Sequence, residues 1–564
     1  MKRLLKNGTV VNVFTGELIK TNVLFENGII LGVDDYGDDE ADEVIDAAGK
    51  YICPGFIDGH IHIESTMLTC PEFAKTAVSH GTTAVIADPH EIANVSGKDG
   101  LRYMIESSEG LPLTVYFVIP SCVPATSFDE SGAVLSADDI EEFYSESRVL
   151  GLGEVMNYVG VVAGDGELEK KIKSALSRGL VVNGHAPLLS GKPLDKYISA
   201  GIGDDHECSS ADEAKERIRK GQRIMIRQGT AARNLSGLIS LFDDPWEQRC
   251  LLVTDDKHPA DLISNGHIDS IIRSAVQMGK SAVTGIRMAT LHAAECFGLK
   301  NTGAVAPGYK ADLLVLDDLD KVIVRDVYKN GEKVVSDGKT LCFDMPKIND
   351  ALENKVRNSF NLPMLSSSDF DVDYNGKRKC HVISLVDGQL LTDDLVSDID
   401  FDCNNGIDIE HDILKIAVIE RHHNTGHIGN AFIKGIGLKE GAIASSVAHD
   451  SHNLIVIGTN TDDMAFAANR IRELGGGIVS VKNGKVVAEM PLPIGGLMSC
   501  ETAERAAEEN ETVRESVYSL GVPKGFEPFM IMSFLSLPVI PHLKLTTKGL
   551  VNVDTQSEVP LAAE

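Results

Sequence analysis

Two histidines separated by one residue, His60 and His62, are the side chains whose types and spacing most directly suggest chemistry. An apolar run that includes Tyr51, Ile52 and Phe56 precedes them, which predicts that they end a β-strand. Residues two apart on a strand point to the same face, so both imidazoles would project together. Two imidazoles on one face of a strand end can form half of a metal site. Two unrelated surface histidines are the alternative interpretation of this pair alone.

Four further potential ligands follow apolar runs in the same way. They stand at the C-terminal ends of these runs or directly after them, and they are Glu154, His185, His206 and Asp255. Together with the two histidines they make a set of nitrogen and oxygen donors without thiolate, which suits one or two divalent cations such as zinc, iron(II) or manganese(II). Catalytic residues at the C-terminal ends of successive strands are typical of the (β/α)8 barrel.

Alternating strand and helix patterns predict the barrel that would position these residues. Helical signals separate the candidate strands, among them a helix that starts at Pro71 and a capping box at 210–213. Such alternation is typical of a parallel sheet, and the span 51–298 is close to the roughly 250 residues of such a barrel. The eight predicted strands cover 56–62, 83–88, 114–119, 149–154, 180–185, 202–206, 223–227 and 250–255.

The rest of the chain predicts two further units. Asn-Gly turn signals lie between short β patterns in residues 1–50 and 299–345, and we expect these two ends to pair as one small β-sandwich. Residues 350–564, with an amphipathic helix at 462–474, should form a C-terminal α+β domain. The predicted fold class is therefore α/β: a TIM-like (β/α)8 barrel over 51–298, a flanking β-sandwich and an additional C-terminal domain.

Motifs spread over nearly the whole chain resemble the amidohydrolase superfamily, and within it the adenine deaminase family. The superfamily resemblance rests on the Pro-Gly-Phe-Ile-Asp-Gly-His-Ile-His stretch at 54–62, on the strand-end ligands and on residues 303–315. The resemblance to adenine deaminases rests on shorter motifs, which are Ala-Asp-Pro-His-Glu at 87–91, Gly-Leu-Gly-Glu-Val-Met-Asn at 151–157, Asp-His-Glu at 205–207, Thr-Asp-Asp at 254–256, Val-Ala-His-Asp-Ser-His-Asn at 447–453 and Met-Pro-Leu-Pro-Ile-Gly-Gly at 490–496.

The resemblance implies a binuclear site and a reaction. Its ligand assignment is His60, His62 and Asp255 for one cation, His185 and His206 for the other, and Glu154 as the bridge between them. It implies manganese, with iron(II) or zinc as alternatives, and a homo-oligomer that acts on free adenine. Water activated at the site would attack C6 of adenine and release ammonia, which leaves hypoxanthine. Asp255 would accept the proton of the attacking water and pass it to the leaving group.

Other polar residues are candidates for contacting the substrate or orienting the ligands. They are Asp88, His90, Glu91, Arg227, His449, Asp450 and His452. The first three should line the barrel mouth, where a solvated loop is the alternative interpretation. Arg227 could instead balance acidic charge. The segment at 449–452 could cover the barrel mouth or bind an extra cation, or it could be a structural turn. Strand alternation predicts that Glu207 and Asp256 point away from the site.

The composition narrows the class of protein. The 564 residues include 53 basic and 83 acidic side chains, and a formal charge of −30 argues against binding a nucleic acid backbone. The sequence has no run near the roughly 18 apolar residues of a membrane span, and its start lacks the apolar segment of a signal peptide. The 10 cysteines include no Cys-x-x-Cys pair, which favours reduced thiols and a cytoplasmic location.

Three other functional classes were weighed against this interpretation. Another amidohydrolase, one that opens a cyclic amide or deacetylates a sugar, would keep the same ligands and differ only in its substrate pocket. A non-catalytic scaffold on the same barrel would be expected to lose ligands, whereas all the expected positions are filled. The unrelated zinc deaminase fold requires a Pro-Cys-x-x-Cys motif, which this sequence lacks.

Overall fold

The computed structural model describes residues 1–230, 232–372, 376, 378–386 and 391–563. The chain opens with short strands joined by tight turns, and the Asn-Gly pair at 27–28 turns the chain between two of them with both residues at positive φ. These strands are β1 (Arg3–Val11), β2 (Leu18–Glu26), β3 (Ile29–Asp34), β4 (Glu43–Asp46) and β5 (Tyr51–Pro54).

Eight parallel strands follow, at the positions that the sequence predicts. They are β6 (Phe56–Ile61), β7 (Thr82–Ala87), β8 (Thr114–Ile119), β9 (Val149–Val155), β10 (Val181–Gly184), β11 (Asp204–Asp205), β12 (Arg223–Arg227) and β13 (Cys250–Val253). The strands β6 to β10 form one sheet, and β11 to β13 form another. A parallel bridge between Ile61 and Asp255 joins the sheets on one side. On the other side the Gly203 N–H donates to the Val182 carbonyl at 3.0 Å. The two sheets therefore close into one eight-stranded parallel barrel.

Helices connect the barrel strands, as the alternating pattern predicts. Ser210 caps one of them, because its side chain accepts a hydrogen bond from the Glu213 N–H. The α-helices of this part of the chain are Cys70–Ser79, His90–Ser107, Ala137–Glu141, Tyr158–Ala163, Gly166–Ser177, Gly191–Ser199, Ala211–Arg219, Leu235–Leu238, Pro259–Asn265, Ile268–Gln277, Ala282–Arg287 and Ala293–Cys296.

The chain then returns to the first sheet. The strands β14 (Leu313–Asp318), β15 (Ile323–Lys329), β16 (Glu332–Ser336) and β17 (Lys339–Thr340) continue it. The hydrogen-bonded order of this nine-stranded sheet is β17-β16-β15-β14-β5-β1-β2-β3, with β4 paired to β1. Segments on both sides of the barrel therefore share one sheet, and the strand at 51–54 belongs to it. Its closure into a sandwich, and the proposed domain limits, stay predictions.

The C-terminal part is built around an eight-stranded sheet of order β19-β18-β21-β20-β23-β22-β24-β25. Its strands are β18 (Lys379–Leu385), β19 (Thr392–Asp398), β20 (Ile413–Ile419), β21 (Ile428–Lys434), β22 (Ala442–Ser445), β23 (Leu454–Gly458), β24 (Gly477–Lys482) and β25 (Lys485–Pro491). A small sheet of β26 (Leu543–Thr546), β27 (Gly549–Asn552) and β28 (Ser557–Val559) ends the chain, and the α-helices are Asp350–Arg357, Thr461–Leu474, Ala503–Ser519 and Pro528–Ser533. Among the described residues, none of the helices is long and apolar enough to cross a membrane.

Candidate active site

The first barrel strand presents His60 and His62 as expected, and both side chains are buried. Asp58 fixes the strand end, because its carboxylate accepts the backbone N–H of His60 at 3.2 Å. The Nδ1 atom of His62 lies 2.9 Å from the backbone carbonyl of Asp88. A carbonyl only accepts hydrogen bonds, so Nδ1 carries the proton and Nε2 keeps its lone pair for the centre of the site.

Glu154, at the end of β9, lies at the centre of five imidazoles. Its Oε1 atom faces one side, at 3.3 Å from His62 Nε2, 3.4 Å from His90 Nδ1 and 4.0 Å from His60 Nε2. Its Oε2 atom faces the other side, at 2.6 Å from His185 Nδ1 and 3.2 Å from His206 Nε2. One carboxylate oxygen therefore points at each of the two histidine pairs, which is the geometry that a bridging carboxylate requires.

Asp255 closes the side of His60 and His62. It follows β13 with a left-handed backbone (φ 58°), and its N–H donates to the His60 carbonyl at 3.0 Å. Its Oδ1 atom lies 3.2 Å from His62 Nε2 and 3.7 Å from His60 Nε2. Its Oδ2 atom accepts a hydrogen bond from Arg227 Nη1 at 2.9 Å. Arg227 is thus paired with a carboxylate of the site.

The prediction that Glu207 points away from the site is wrong. Its Oε1 atom lies 3.4 Å from both His185 Nδ1 and His206 Nε2, and Arg227 Nη2 donates to its Oε2 at 2.9 Å. Strand alternation fails here because β11 is only two residues long, so His206 and Glu207 lie beyond its regular pleat. The sequence signal that could have identified this residue is the Asp-His-Glu motif itself.

The structure agrees better with the prediction for Asp256, which was that its side chain points away from the site. Its Oδ1 atom accepts a hydrogen bond from the Ser65 hydroxyl at 2.6 Å. Within the described part of the chain, no ion pair joins it to a candidate ligand. Burial and the charge of Asp255 raise the pKa of this carboxyl.

The residues present fit divalent cations. Potential ligand atoms lie within 4.8 Å of one another in several groups of residues around this centre, among them His60, Glu154 and His206; His60, His62 and Asp255; His185, His206 and Glu207; and His62, His90 and Glu91. The Nε2 atom of His60 is buried and has no hydrogen-bond partner among the described residues. A buried imidazole nitrogen that faces carboxylates without a hydrogen-bond partner is expected of a metal ligand. The donors are nitrogen and oxygen, as zinc, iron(II) and manganese(II) prefer.

The local electrostatics favour the ligand form of His60 and of the two carboxylates, whereas the neighbouring carboxylates raise the pKa of His62, His185 and His206 although burial opposes this. Burial, and then the neighbouring His206 and His62, lower the pKa of His60 well below its usual value, so its imidazole stays neutral. Burial by itself would raise the pKa of Glu154, but His185 and His206 hold it well below its usual range. Burial also opposes ionisation of Asp255. The Arg227 guanidinium outweighs this effect, so the pKa of Asp255 is lowered as well. Neutral imidazole and ionised carboxylate are the forms that bind a cation.

Asp88 holds the loop of Glu154 in place. Its Oδ2 atom accepts the Glu154 N–H at 2.8 Å. A side chain at Gly153 would put its Cβ only 2.2 Å from that same oxygen, so the position requires glycine. Glu64 also turns away from the centre, because its Oε1 accepts the Ile92 N–H at 3.2 Å, and burial raises its pKa to about 7.

The C-terminal domain reaches this site through the segment 446–453. His449 Nδ1 lies 2.7 Å from Glu91 Oε1, and His452 Nε2 forms a short contact with Glu91 Oε2. Asp450 Oδ1 lies 3.9 Å from the Nε2 atom of His90. The structure therefore brings these five predicted candidates together beside Glu154. Whether they bind substrate stays a prediction.

Comparisons with known proteins agree with this geometry. Residues 51–341 match the amidohydrolase family, and residues 389–557 match the adenine deaminase C-terminal domain. The chain is 45% identical to adenine deaminase 2 of Carboxydothermus hydrogenoformans over 99% of this chain and 96% of that protein. It is 44% identical to the adenine deaminase of Clostridium acetobutylicum over 98% of this chain and 96% of that protein. It is 42% identical to the adenine deaminase of Halalkalibacterium halodurans over 98% of this chain and 94% of that protein. The chain belongs to the adenine deaminase family of amidohydrolases.

Proposed function

We propose that this chain hydrolyses free adenine to hypoxanthine and ammonia. The observation that carries the substrate is its similarity, at 45% identity over 99% of its length, to a protein named adenine deaminase 2. The site supports the reaction class, because imidazoles and carboxylates converge there at the C-terminal ends of barrel strands. The chemistry needs one water and one substrate, and each turnover exchanges the amine at C6 for oxygen.

The proposed ligand assignment follows the two faces of Glu154. His60, His62 and Asp255 would hold one cation, His185 and His206 the other, and Glu154 would bridge them. Glu207 lies close enough to the second pair to act as a further donor or to orient both rings. Manganese is the proposed metal, because the family resemblance implies it. Iron(II) and zinc are alternatives, because the donor set suits all three metals.

The cations would lower the pKa of a water and make it a nucleophile at neutral pH. Asp255 is the side chain that we assign to move protons: it takes one from the attacking water and delivers it to the departing amine. The Arg227 ion pair at 2.9 Å holds that carboxylate in position. Glu154 supplies negative charge at the centre, and the buried walls of the site exclude bulk water.

The test is a metal-loaded assay with competing substrates. Manganese-loaded protein should release one ammonia and one hypoxanthine per adenine, and protein stripped with chelator should not. A hydantoin, a dihydropyrimidine and N-acetylglucosamine serve as alternative substrates for the other amidohydrolase classes. Turnover of one of these and not of adenine would refute the proposal. We also propose that the protein is a cytoplasmic homo-oligomer. Light scattering on the purified protein would check the oligomeric state.

A further inference from the structure

A segment of the C-terminal domain, residues 446–453, is held firmly against the barrel site. It joins β22 to β23, and buried hydrogen bonds fix both of its ends. The Ser446 hydroxyl donates to the Gly496 carbonyl at 2.6 Å, and the buried Arg421 donates through Nε to the His452 carbonyl at 2.6 Å. The ring of His449 stacks on Phe534 at 4.6 Å. The segment is therefore positioned by its own domain.

Glu91 connects this segment to the barrel. Its Oε1 atom is 2.7 Å from His449 Nδ1, and its Oε2 atom contacts His452 Nε2. The Nδ1 atom of His452 accepts the Ala448 N–H at 3.2 Å, so in the neutral ring the proton must lie on Nε2. His452 then donates to Glu91 and has no lone pair left for a cation. Burial lowers the pKa of His449, but the Glu91 carboxylate outweighs burial and raises it to about 9. The imidazole is therefore protonated at neutral pH and also donates to Glu91. Both oxygens of Glu91 are thus used to hold the segment.

This attachment places Asp450 beside the centre of the site. Its side chain is buried, and Oδ1 lies 3.9 Å from His90 Nε2, while His90 Nδ1 lies 3.4 Å from Glu154 Oε1. One imidazole therefore separates Asp450 from the proposed bridge. Its Oδ2 atom is buried and has no hydrogen-bond partner within the described ranges. A buried carboxyl oxygen without a partner is costly, and such an atom calls for an explanation such as a ligand.

We propose that Asp450 hydrogen-bonds the purine ring of the substrate, and that Glu91, His449 and His452 position it without touching the substrate. The proposal rests on the proposed function, since it names the group that reads adenine in that site. Adenine presents ring nitrogens that accept hydrogen bonds and N–H groups that donate them. Burial raises the pKa of Asp450 to about 6, and the Glu91 charge adds to this while His90 opposes it. A carboxyl in this state can meet either kind of group.

The test uses Asp450→Ala and Asp450→Asn, with Asp462→Asn as the matched control. Asp462 lies on an exposed face of a helix in the same domain, so it should leave binding unchanged. Dissociation constants are measured by calorimetry on manganese-loaded protein with 1-, 3- and 7-deazaadenine, purine and 9-methyladenine. Each ligand lacks one hydrogen-bonding group of adenine. Asp450→Ala should weaken binding of most of them by about 10- to 100-fold, as expected for a hydrogen bond to a charged group.

The proposal is supported if Asp450→Ala weakens the binding of all ligands in this panel except one. The ligand that lacks the contacted group should bind Asp450→Ala and the unmodified protein equally well, and Asp450→Asn should recover part of the affinity. Unchanged constants for all five ligands would overturn the proposal. An equal loss for all five would overturn it too, because it would indicate a structural role. Release of hypoxanthine from adenine by the unmodified protein is measured in parallel, so a failure of the proposed function is seen separately.

Metal analysis tests the role of Glu91. The unmodified protein and Glu91→Gln should bind the same number of manganese equivalents, while Glu91→Gln should weaken the ligands that Asp450→Ala weakens. A manganese equivalent that is present in the unmodified protein and lost in Glu91→Gln would show that Glu91 and its two histidines hold a cation. That outcome would overturn the positioning role that we assign to them.

Discussion

Replacing Glu154 by glutamine should damage the site far more than the same replacement at Glu207. Glu154 places one oxygen on each histidine pair, whereas Glu207 approaches only His185 and His206 and is shared with Arg227. Glu154→Gln removes the single negative charge common to both proposed cations. Glu207→Gln leaves the cation held by His60 and Asp255 without any change in its ligands.

The sizes of the two effects follow from this difference. Removing one partner of a buried ion pair typically costs about 3–5 kcal/mol, which corresponds to about 150- to 4,000-fold in affinity. For Glu154→Gln we expect a loss of that size in manganese affinity and a loss at least as large in turnover. Changing a residue that orients ligands typically costs about 10- to 100-fold, and we expect this for Glu207→Gln.

Metal content after dialysis and steady-state turnover of adenine measure both variants. Glu169→Gln is the control, because Glu169 is exposed on a helix and pairs with Lys173 along that helix. Circular dichroism establishes that the variants fold. The assignment of the bridge is refuted if Glu207→Gln loses as much metal and activity as Glu154→Gln, or if Glu154→Gln keeps two tightly bound cations.

Three further predictions concern stoichiometry, proton transfer and pH. Titration of the metal-free protein should restore activity only as the second manganese equivalent binds, and full activity at one equivalent would contradict a binuclear site. Asp255→Asn should keep much of its metal but lose about 10²- to 10⁴-fold in turnover, whereas Asp256→Asn should be far milder; the reverse order would move the proton-transfer role to Asp256. His449 has its folded pKa raised to about 9, so its pairing with Glu91 stabilises the fold fully below about pH 6.5 and the effect is lost as pH rises through 9. The difference in melting temperature between the unmodified metal-free protein and His449→Gln should therefore shrink over that range, and a difference independent of pH would contradict the ion pair.

The sequence was sufficient to predict the barrel and that six candidate ligands would meet at one end of it; their role as ligands stays a prediction. Parallel strands buried on both faces read as apolar runs, and their C-terminal ends all meet on one side of the barrel. Strand-end position predicts that Glu154 and Asp255 lie on that side, and the family resemblance assigns them their roles there. The barrel strands of the structure begin and end within a few residues of the predicted limits.

Side-chain direction at the strand ends could not be predicted in the same way. Alternation holds only while the chain stays pleated, and β11 is just two residues long before His206. Glu207 consequently turns toward the histidines and not away from them. At Asp255 the backbone becomes left-handed, which also ends the alternation. A period-two argument is thus least reliable at the point where the chemistry occurs.

The contribution of the C-terminal domain was the least predictable part. Glu91 and His449 are 358 residues apart in sequence, and no local pattern encodes a contact over such a separation. The motif at 447–453 marked the histidines as candidates but left a turn, an extra cation and a cover for the mouth as equal alternatives. Only the packing of the two domains decides which atoms face one another.

That packing gives two consecutive residues of one helix different tasks. His90 and Glu91 begin the helix His90–Ser107, and successive side chains on a helix point about 100° apart. His90 therefore faces Glu154 in the barrel while Glu91 faces the histidines of the C-terminal domain. A barrel without its partner domain would keep all six proposed ligands, yet it would leave Glu91 without both of its donors and would lack Asp450. Cation binding and purine recognition are thus assigned to different domains, and the start of this one helix couples them.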